Sequence, residues 1–211
     1  MFTGLVETIG CVDELTSRGN YYEMTVRSAL PAEQLRIGES IACHGVCLTV
    51  IEKGPGRFTV ELSQETAARV DMSRFAVGSR VNLERAMQLG DRLGGHLVAG
   101  HIDTAGTVDY LKPVGRSLEL AVKFEARFDP LVIDKGSIAI DGVSLTVNES
   151  GSGWLTVNLI PHTGQVTTLS ELKAGGSVNL EFDLVGKYIV KHQQSGSAPA
   201  VTEKLLRESG W

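Results

Sequence analysis

The chain has no apolar run of membrane-spanning length, no excess of basic residues and no paired set of cysteines. Each absence removes a class of protein. Without about 20 consecutive apolar residues, no segment reads as a transmembrane helix. Lysine and arginine number 20 against 25 acidic residues, a net charge of −5, so the dense basic surface that nucleic acids and anionic membranes require is missing. The three cysteines, Cys11, Cys43 and Cys47, are odd in number and confined to the first half. That usage argues against a disulfide framework and for a reducing, cytoplasmic setting. The opening MFTGLVETIG lacks the basic and long apolar regions of a secretion signal. No Gly-x-Gly-x-x-Gly, Walker loop or Gly-x-Ser-x-Gly elbow occurs, which disfavours a dinucleotide fold, a phosphate loop and an α/β-hydrolase.

What the chain does have is an echo of itself. Residues 38–50 read GESIACHGVCLTV and residues 135–147 read KGSIAIDGVSLTV, so that Ser40 recurs as Ser137 at a shift of 97. The same shift carries Thr59-Val60-Glu61-Leu62 onto Thr156-Val157-Asn158-Leu159, and Val81-Asn82-Leu83-Glu84 onto Val178-Asn179-Leu180-Glu181. The opening, from Gly4 to Leu15, recurs from Gly100 to Leu111 at a shift of 96, so one residue is gained or lost between. A repeat this long is a duplicated domain. Two like domains offer two like pockets, able to hold two copies of one molecule.

Alternating, β-branched segments dominate both halves: 21–27, 47–52 and 58–62 in the first, 118–123, 144–148 and 154–160 in the second. Glycine-rich turns at 54–56 and 151–153 separate the paired segments. Short strands at regular spacing predict a small antiparallel barrel or sandwich in each half. Two short helices are expected, over 64–72 and over 163–172, the second opened by Pro161. The boundary falls near the glycine cluster at 90–95, giving units 1–96 and 97–185. The tail 186–211 has no counterpart in the first half. It reads as helical over 187–191 and 201–206, and as an oligomer contact.

Two clusters could carry chemistry. His44-Gly45-Val46-Cys47-Leu48-Thr49 pairs with Asp141-Gly142-Val143-Ser144-Leu145-Thr146. Strand periodicity puts Cys47 with Thr49, and Ser144 with Thr146, on one face. The plainer reading is a strand of small residues fitted to a crowded interior. The second cluster is GGHLVAGH, with His96 and His101 in glycine-rich backbone where the repeat breaks. Imidazoles there suit acid–base work near neutrality. Only Asp103 stands near them, which is no zinc pattern, and no metal is expected. These residues leave open a small-ligand binder with paired pockets and an enzyme that joins two similar substrates.

MFTGLVE, GGHLVAGH, GVCLTV with GVSLTV, LIPHT and the closing VTEKLLRESGW, in that order, resemble the riboflavin synthase family of the α-subunit, lumazine-binding type. The resemblance implies an all-β protein of two six-stranded Greek-key barrels plus a C-terminal helix, assembled as a homotrimer. It implies dismutation of two 6,7-dimethyl-8-ribityllumazine molecules to riboflavin and 5-amino-6-(ribitylamino)uracil, without cofactor or metal. It places a first pocket on Gly4, Leu5, Val6, Cys47, Leu48, Thr49, Glu61, Leu62, Ser63, Gln64, Glu65 and Thr66. A second pocket falls on Gly100, His101, Ile102, Lys135, Ser144, Leu145, Thr146, Ile160, Pro161, His162, Thr163, Gly164 and Gln165. In this picture Ser144, Thr146 and His101 surround the methyl group to be deprotonated, Cys47 lies near the partner ring, and Asp183 orients groups at the site. Lys135, Glu65 and Thr66 engage the ribityl chain. Phe2 stacks on a lumazine ring or is simply buried. The family also has antenna relatives that hold a lumazine or flavin without turning it over. The chain departs from the family in His44, where the first loop commonly has asparagine, and in the polar helix segment YIVKHQQ.

Overall fold

The computed structural model describes residues 1–195. The helical reading of 201–206 lies outside the described residues. Twelve strands form two closed barrels. The first contains β1 (Thr8–Ser17), β2 (Tyr21–Arg27), β3 (Ser40–Cys43), β4 (Val46–Gly54), β5 (Arg57–Ser63) and β6 (Arg80–Arg85). The second contains β7 (Thr104–Val114), β8 (Ser117–Lys123), β9 (Ser137–Ile140), β10 (Val143–Gly151), β11 (Trp154–Leu159) and β12 (Ser177–Phe182). Around the first barrel the order is β1-β2-β5-β4-β3-β6, and the second repeats it strand for strand. Closure pairs every strand on both sides, so neither sheet has a free edge.

The repeat is geometric as well as sequential. Bulges break the register at Val12/Glu14 and again at Val108/Tyr110, a shift of 96. They break it at Val50/Glu52 and again at Val147/Glu149, a shift of 97. The extra residue of the second copy therefore lies between β8 and β9, where a 3₁₀ turn spans Ala126–Leu131. Period-two patterning fills each barrel: Met24 and Val26, Val50, Val60 and Leu62 in one core, Leu120 and Val122, Val147, Leu155 and Val157 in the other.

The helices are shorter than the sequence suggests. α1 covers Gln64–Ala67, and a separate 3₁₀ turn follows at Met72–Phe75, started by the Asp71 side chain accepting from the Ser73 amide. α2 covers Pro161–Val166, and Thr167 starts another 3₁₀ turn at Thr168–Glu171. In each place a capping side chain opens the 3₁₀ turn, and Thr167 also closes α2 by donating its hydroxyl to the Thr163 carbonyl. The third helix, α3 (Leu184–Gln194), is capped by Asp183, whose carboxylate accepts from the Val185 amide.

The barrels meet about a pseudo-two-fold axis. Phe2 forms an antiparallel bridge with its own repeat equivalent, Val98. Gly45 faces Gly142, so closely that a Cβ on either would come within 2.7 Å of the other's amide nitrogen. The Asn82 side-chain amide donates to the Asp141 carbonyl, and the Asn179 amide returns the bond to the His44 carbonyl.

Candidate active site

The segments leading into the two barrels are exchanged. The Gly4 carbonyl accepts the Ser144 amide of the second barrel at 2.8 Å, and the Gly100 carbonyl accepts the Cys47 amide of the first at 2.8 Å. Val6 packs on the second core and Ile102 on the first. This corrects the grouping expected from the sequence: Gly100, His101 and Ile102 belong beside Cys47, and Gly4, Leu5 and Val6 beside Ser144. The cause is a pair of buried carboxylates. Glu84 accepts the amides of Thr3 and Gly4, and Glu181 accepts those of Ala99 and Gly100. Each barrel thereby grips a strand that passes on to its neighbour.

The first cleft consists of two adjoining hollows of about 280 and 350 Å³ that share Cys47 and Thr66. Glu65, Arg69, His101 and Asp103 line one; Thr49, Ile51, Glu61 and Ser63 line the other. Together they offer the space of a small-molecule site. Cys47 and Thr49 share the outer face of β4, while Leu48 between them is buried in the core. Leu62 and Leu145 are likewise core residues, so Leu48, Leu62 and Leu145 can offer a ligand little beyond backbone. Gln64, on α1, is exposed at the rim.

At the equivalent place on the second barrel, Ser144 and Thr146 share the outer face of β10. His96 lies against Ser144, with Nδ1 and Oγ 2.7 Å apart. Burial pushes the His96 pKa down, opposed by the nearby Asp183 carboxylate. Gly95 must be glycine here, since a Cβ would lie 2.2 Å from the Thr3 carbonyl oxygen. Ile160 caps α2 and is exposed; Pro161, His162, Thr163, Gly164 and Gln165 form the helix itself. Lys135 occupies a left-handed turn (φ +63°) where the first copy has Gly38, and its amide donates to Val147.

Two expectations change at this level. His101 sits with Cys47, and within one chain it is His96 that meets Ser144. The linker thus delivers one histidine to the first cleft and the other to Ser144. Only the pairing of the two histidines in GGHLVAGH hinted at this, because His96 has no equivalent in the first copy. Phe2 is fully buried between the barrels with Ala42, Val98 and Ala139, so its ring is unavailable to a ligand. Arg69, Asp103 and the two grip carboxylates are additional residues of the site region. The repeat of VNLE at 81–84 and 178–181 carried the signal for Glu84 and Glu181.

The lumazine binding domain family model matches the chain twice, over residues 3–86 and 99–183. Riboflavin synthase of Mycobacterium bovis is 41% identical over all of both chains. That of Bacillus subtilis is 34% identical, again over all of both. The chain belongs to the riboflavin synthase family. That of Photobacterium phosphoreum is 37% identical, covering 90% of this chain and 87% of its own. Among solved structures, LumP complexed with 6,7-dimethyl-8-(1'-D-ribityl)lumazine shares the fold at a TM-score of 0.76 and 22% identity, covering 86% of this chain and 99% of LumP. LumP complexed with riboflavin aligns at 0.78 and 23%, with the same coverage. The two matched units of the family correspond to the two barrels, and the exchanged strands begin each of them.

Proposed function

We propose that this protein makes riboflavin from two molecules of 6,7-dimethyl-8-ribityllumazine, acting as a transferase. One lumazine gives up a four-carbon unit and becomes 5-amino-6-(ribitylamino)uracil; the other receives it and becomes riboflavin. The atoms of two substrates equal those of the two products, so the exchange needs no external oxidant or reductant. The observation that carries the reading is a repeated scaffold on which each barrel sets a small polar pair on one strand face beside one histidine from the shared linker, with a cleft open at the first pair.

On this reading residues 1–96 and 97–185 are two lumazine-binding units, and 186–211 is a subunit contact in a cytoplasmic homotrimer. The exposed Val185, Tyr188 and Ile189 of α3 support such a contact. The reacting pair would meet between the first barrel of one chain, with Cys47 and His101, and the second barrel of a neighbour, with Ser144, Thr146, His96 and Asp183. The His96 ring beside Ser144 suits removal of a proton from the acidic methyl group on C7 of the lumazine. Holding two heterocycles in register supplies the larger part of the acceleration, up to roughly 7–11 kcal/mol in well-oriented systems. Purified protein incubated with the lumazine alone should develop flavin fluorescence, with one riboflavin formed per two lumazines consumed. Tight binding without product would leave only the antenna reading.

A further inference from the structure

Each copy of the repeat builds the same charged support under its crossing strand. In the first, Glu84 takes the amides of Thr3 and Gly4 at 2.7 and 3.0 Å, while Glu7 takes the Arg85 amide at 2.7 Å. In the second, Glu181 takes those of Ala99 and Gly100 at 2.6 and 2.9 Å, while Asp103 takes the Phe182 amide at 2.8 Å. Glu84 and Glu181 are equivalent at a shift of 97, as are Arg85 and Phe182; Glu7 and Asp103 are equivalent at 96. Both supports therefore bring two carboxylates together, one of them buried. Burial raises the proton affinity of Glu84 and of Glu181, and the second carboxylate adds to the rise in each case.

The cation that balances them differs. In the first copy Arg85 folds its own guanidinium back onto Glu7, with Nη2 2.7 Å and Nε 3.0 Å from Oε2. Phe182 cannot do this, and its ring stacks on Phe128 in the second core. The charge comes instead from outside the barrel: Lys187 Nζ on α3 lies 2.6 Å from Asp103 Oδ2, with both side chains about three-quarters buried. The same ammonium also acts on Glu181, opposing the effect of burial. The strand so held carries the Gly100 carbonyl onto the Cys47 amide and His101 into the first cleft.

We infer that Lys187 is a positioning residue for the first cleft: by supplying the cation that Phe182 cannot, the C-terminal helix holds residues 99–103, and with them His101, against Cys47. Without Lys187, Asp103 and Glu181 face each other unbalanced in a partly desolvated place. The cheapest relief is for Asp103 to swing toward water, which gives up the Phe182 amide and slackens the strand. The helix that carries Lys187 also carries the exposed apolar face of Val185, Tyr188 and Ile189, so whatever packs there bears on the cleft.

The importance of this strand for turnover rests on the reading given under Proposed function; the claim about the strand itself does not. Amide hydrogen exchange on the full-length protein tests it, because the two copies control for each other. Lys187→Met should speed exchange at Ala99 and Gly100 by about tenfold and leave Thr3 and Gly4, held through Arg85, at the wild-type rate. Lys187→Arg should restore Ala99 and Gly100. In riboflavin formation, Lys187→Met should lower kcat by about tenfold and change KM by less than about twofold, as expected for a misplaced reacting group. Unchanged exchange at Ala99 and Gly100 would overturn the inference. So would acceleration of all four amides together without rescue by arginine, which would mean a general loss of stability. If the wild type makes no riboflavin, the functional reading fails, and the exchange pattern alone decides the role of Lys187.

Discussion

His44 is fully buried where the barrels meet, in a left-handed backbone conformation (φ +47°) matched by Asp141 at φ +47°. Its Nε2 is 2.9 Å from the Arg80 carbonyl, a bond only the N–H can make, and its Nδ1 faces the Asn82 amide. A second ring proton would point at that donor. Burial outweighs the attraction of Asp141 and pushes the pKa down from 6.5 to about 4. The unfolded chain therefore takes up a proton below pH 6.5 that the native chain refuses until about pH 4, and stability is lost as the pH is lowered across that window. Between pH 7 and pH 5 this one group should remove about 2 kcal/mol. His44→Asn, which removes the titrating ring and tolerates the same backbone conformation, should flatten that part of the profile. Urea denaturation at the two pH values measures it, and equal slopes in the two proteins would refute the assignment.

Left-handed glycines have two different meanings here, one in an ordinary turn and one in an exchanged segment. Gly38 (φ +88°) has nothing within 4 Å of the position a Cβ would take, and its equivalent in the second copy is Lys135, so a side chain fits there. Gly38→Ala should cost about 1 kcal/mol of stability from backbone strain and leave ligand affinity alone. Gly100 (φ +84°) would place its Cβ 2.4 Å from that of Cys47. Gly100→Ala must push the His101 strand off the first cleft, and lumazine affinity there should drop by at least about tenfold, or roughly 1.4 kcal/mol. Fluorescence titration and urea melts of both variants separate the two effects. The contrast also marks how far the sequence could be read. Period-two alternation put Cys47 with Thr49 and Ser144 with Thr146 on shared faces, and the repeat showed twin β-domains, barrel or sandwich, because both signals are local or self-referential. The exchange of strands is neither. Gly4 looks like any turn glycine until Ser144, 140 positions away, is seen against it. The helix ends were misjudged for a smaller reason: Asp71 and Thr167 restart the backbone through side-chain caps where the composition alone reads as continuous helix.

At the scale of the molecule, two like halves are joined by reciprocal contacts and followed by an appendage that has no twin. The axis through Phe2–Val98 and Gly45–Gly142 relates two strand faces whose surroundings have diverged, Cys47 with His101 on one side and Ser144 with His96 on the other. On the proposed function the two substrates meet between the Cys47 face of one chain and the Ser144 face of a neighbour, and α3 is the proposed contact that brings the neighbour there. Val185, Tyr188 and Ile189 are 58%, 71% and 53% exposed on α3, an apolar face that a lone chain would leave in water. Ile189→Asp places a charge on that face, outside the residues that line the first cleft, so that cleft should keep its affinity for lumazine within about twofold. Association should fail, since an unpaired carboxylate buried in an apolar contact costs several kcal/mol, on the order of the contact itself. Riboflavin formation should then fall by at least about a hundredfold, as the chemistry loses the partner ring while binding persists. Light scattering gives the mass and titration gives the affinity of the same sample. Full turnover by a variant that sediments as a monomer would mean that one chain brings both rings together unaided.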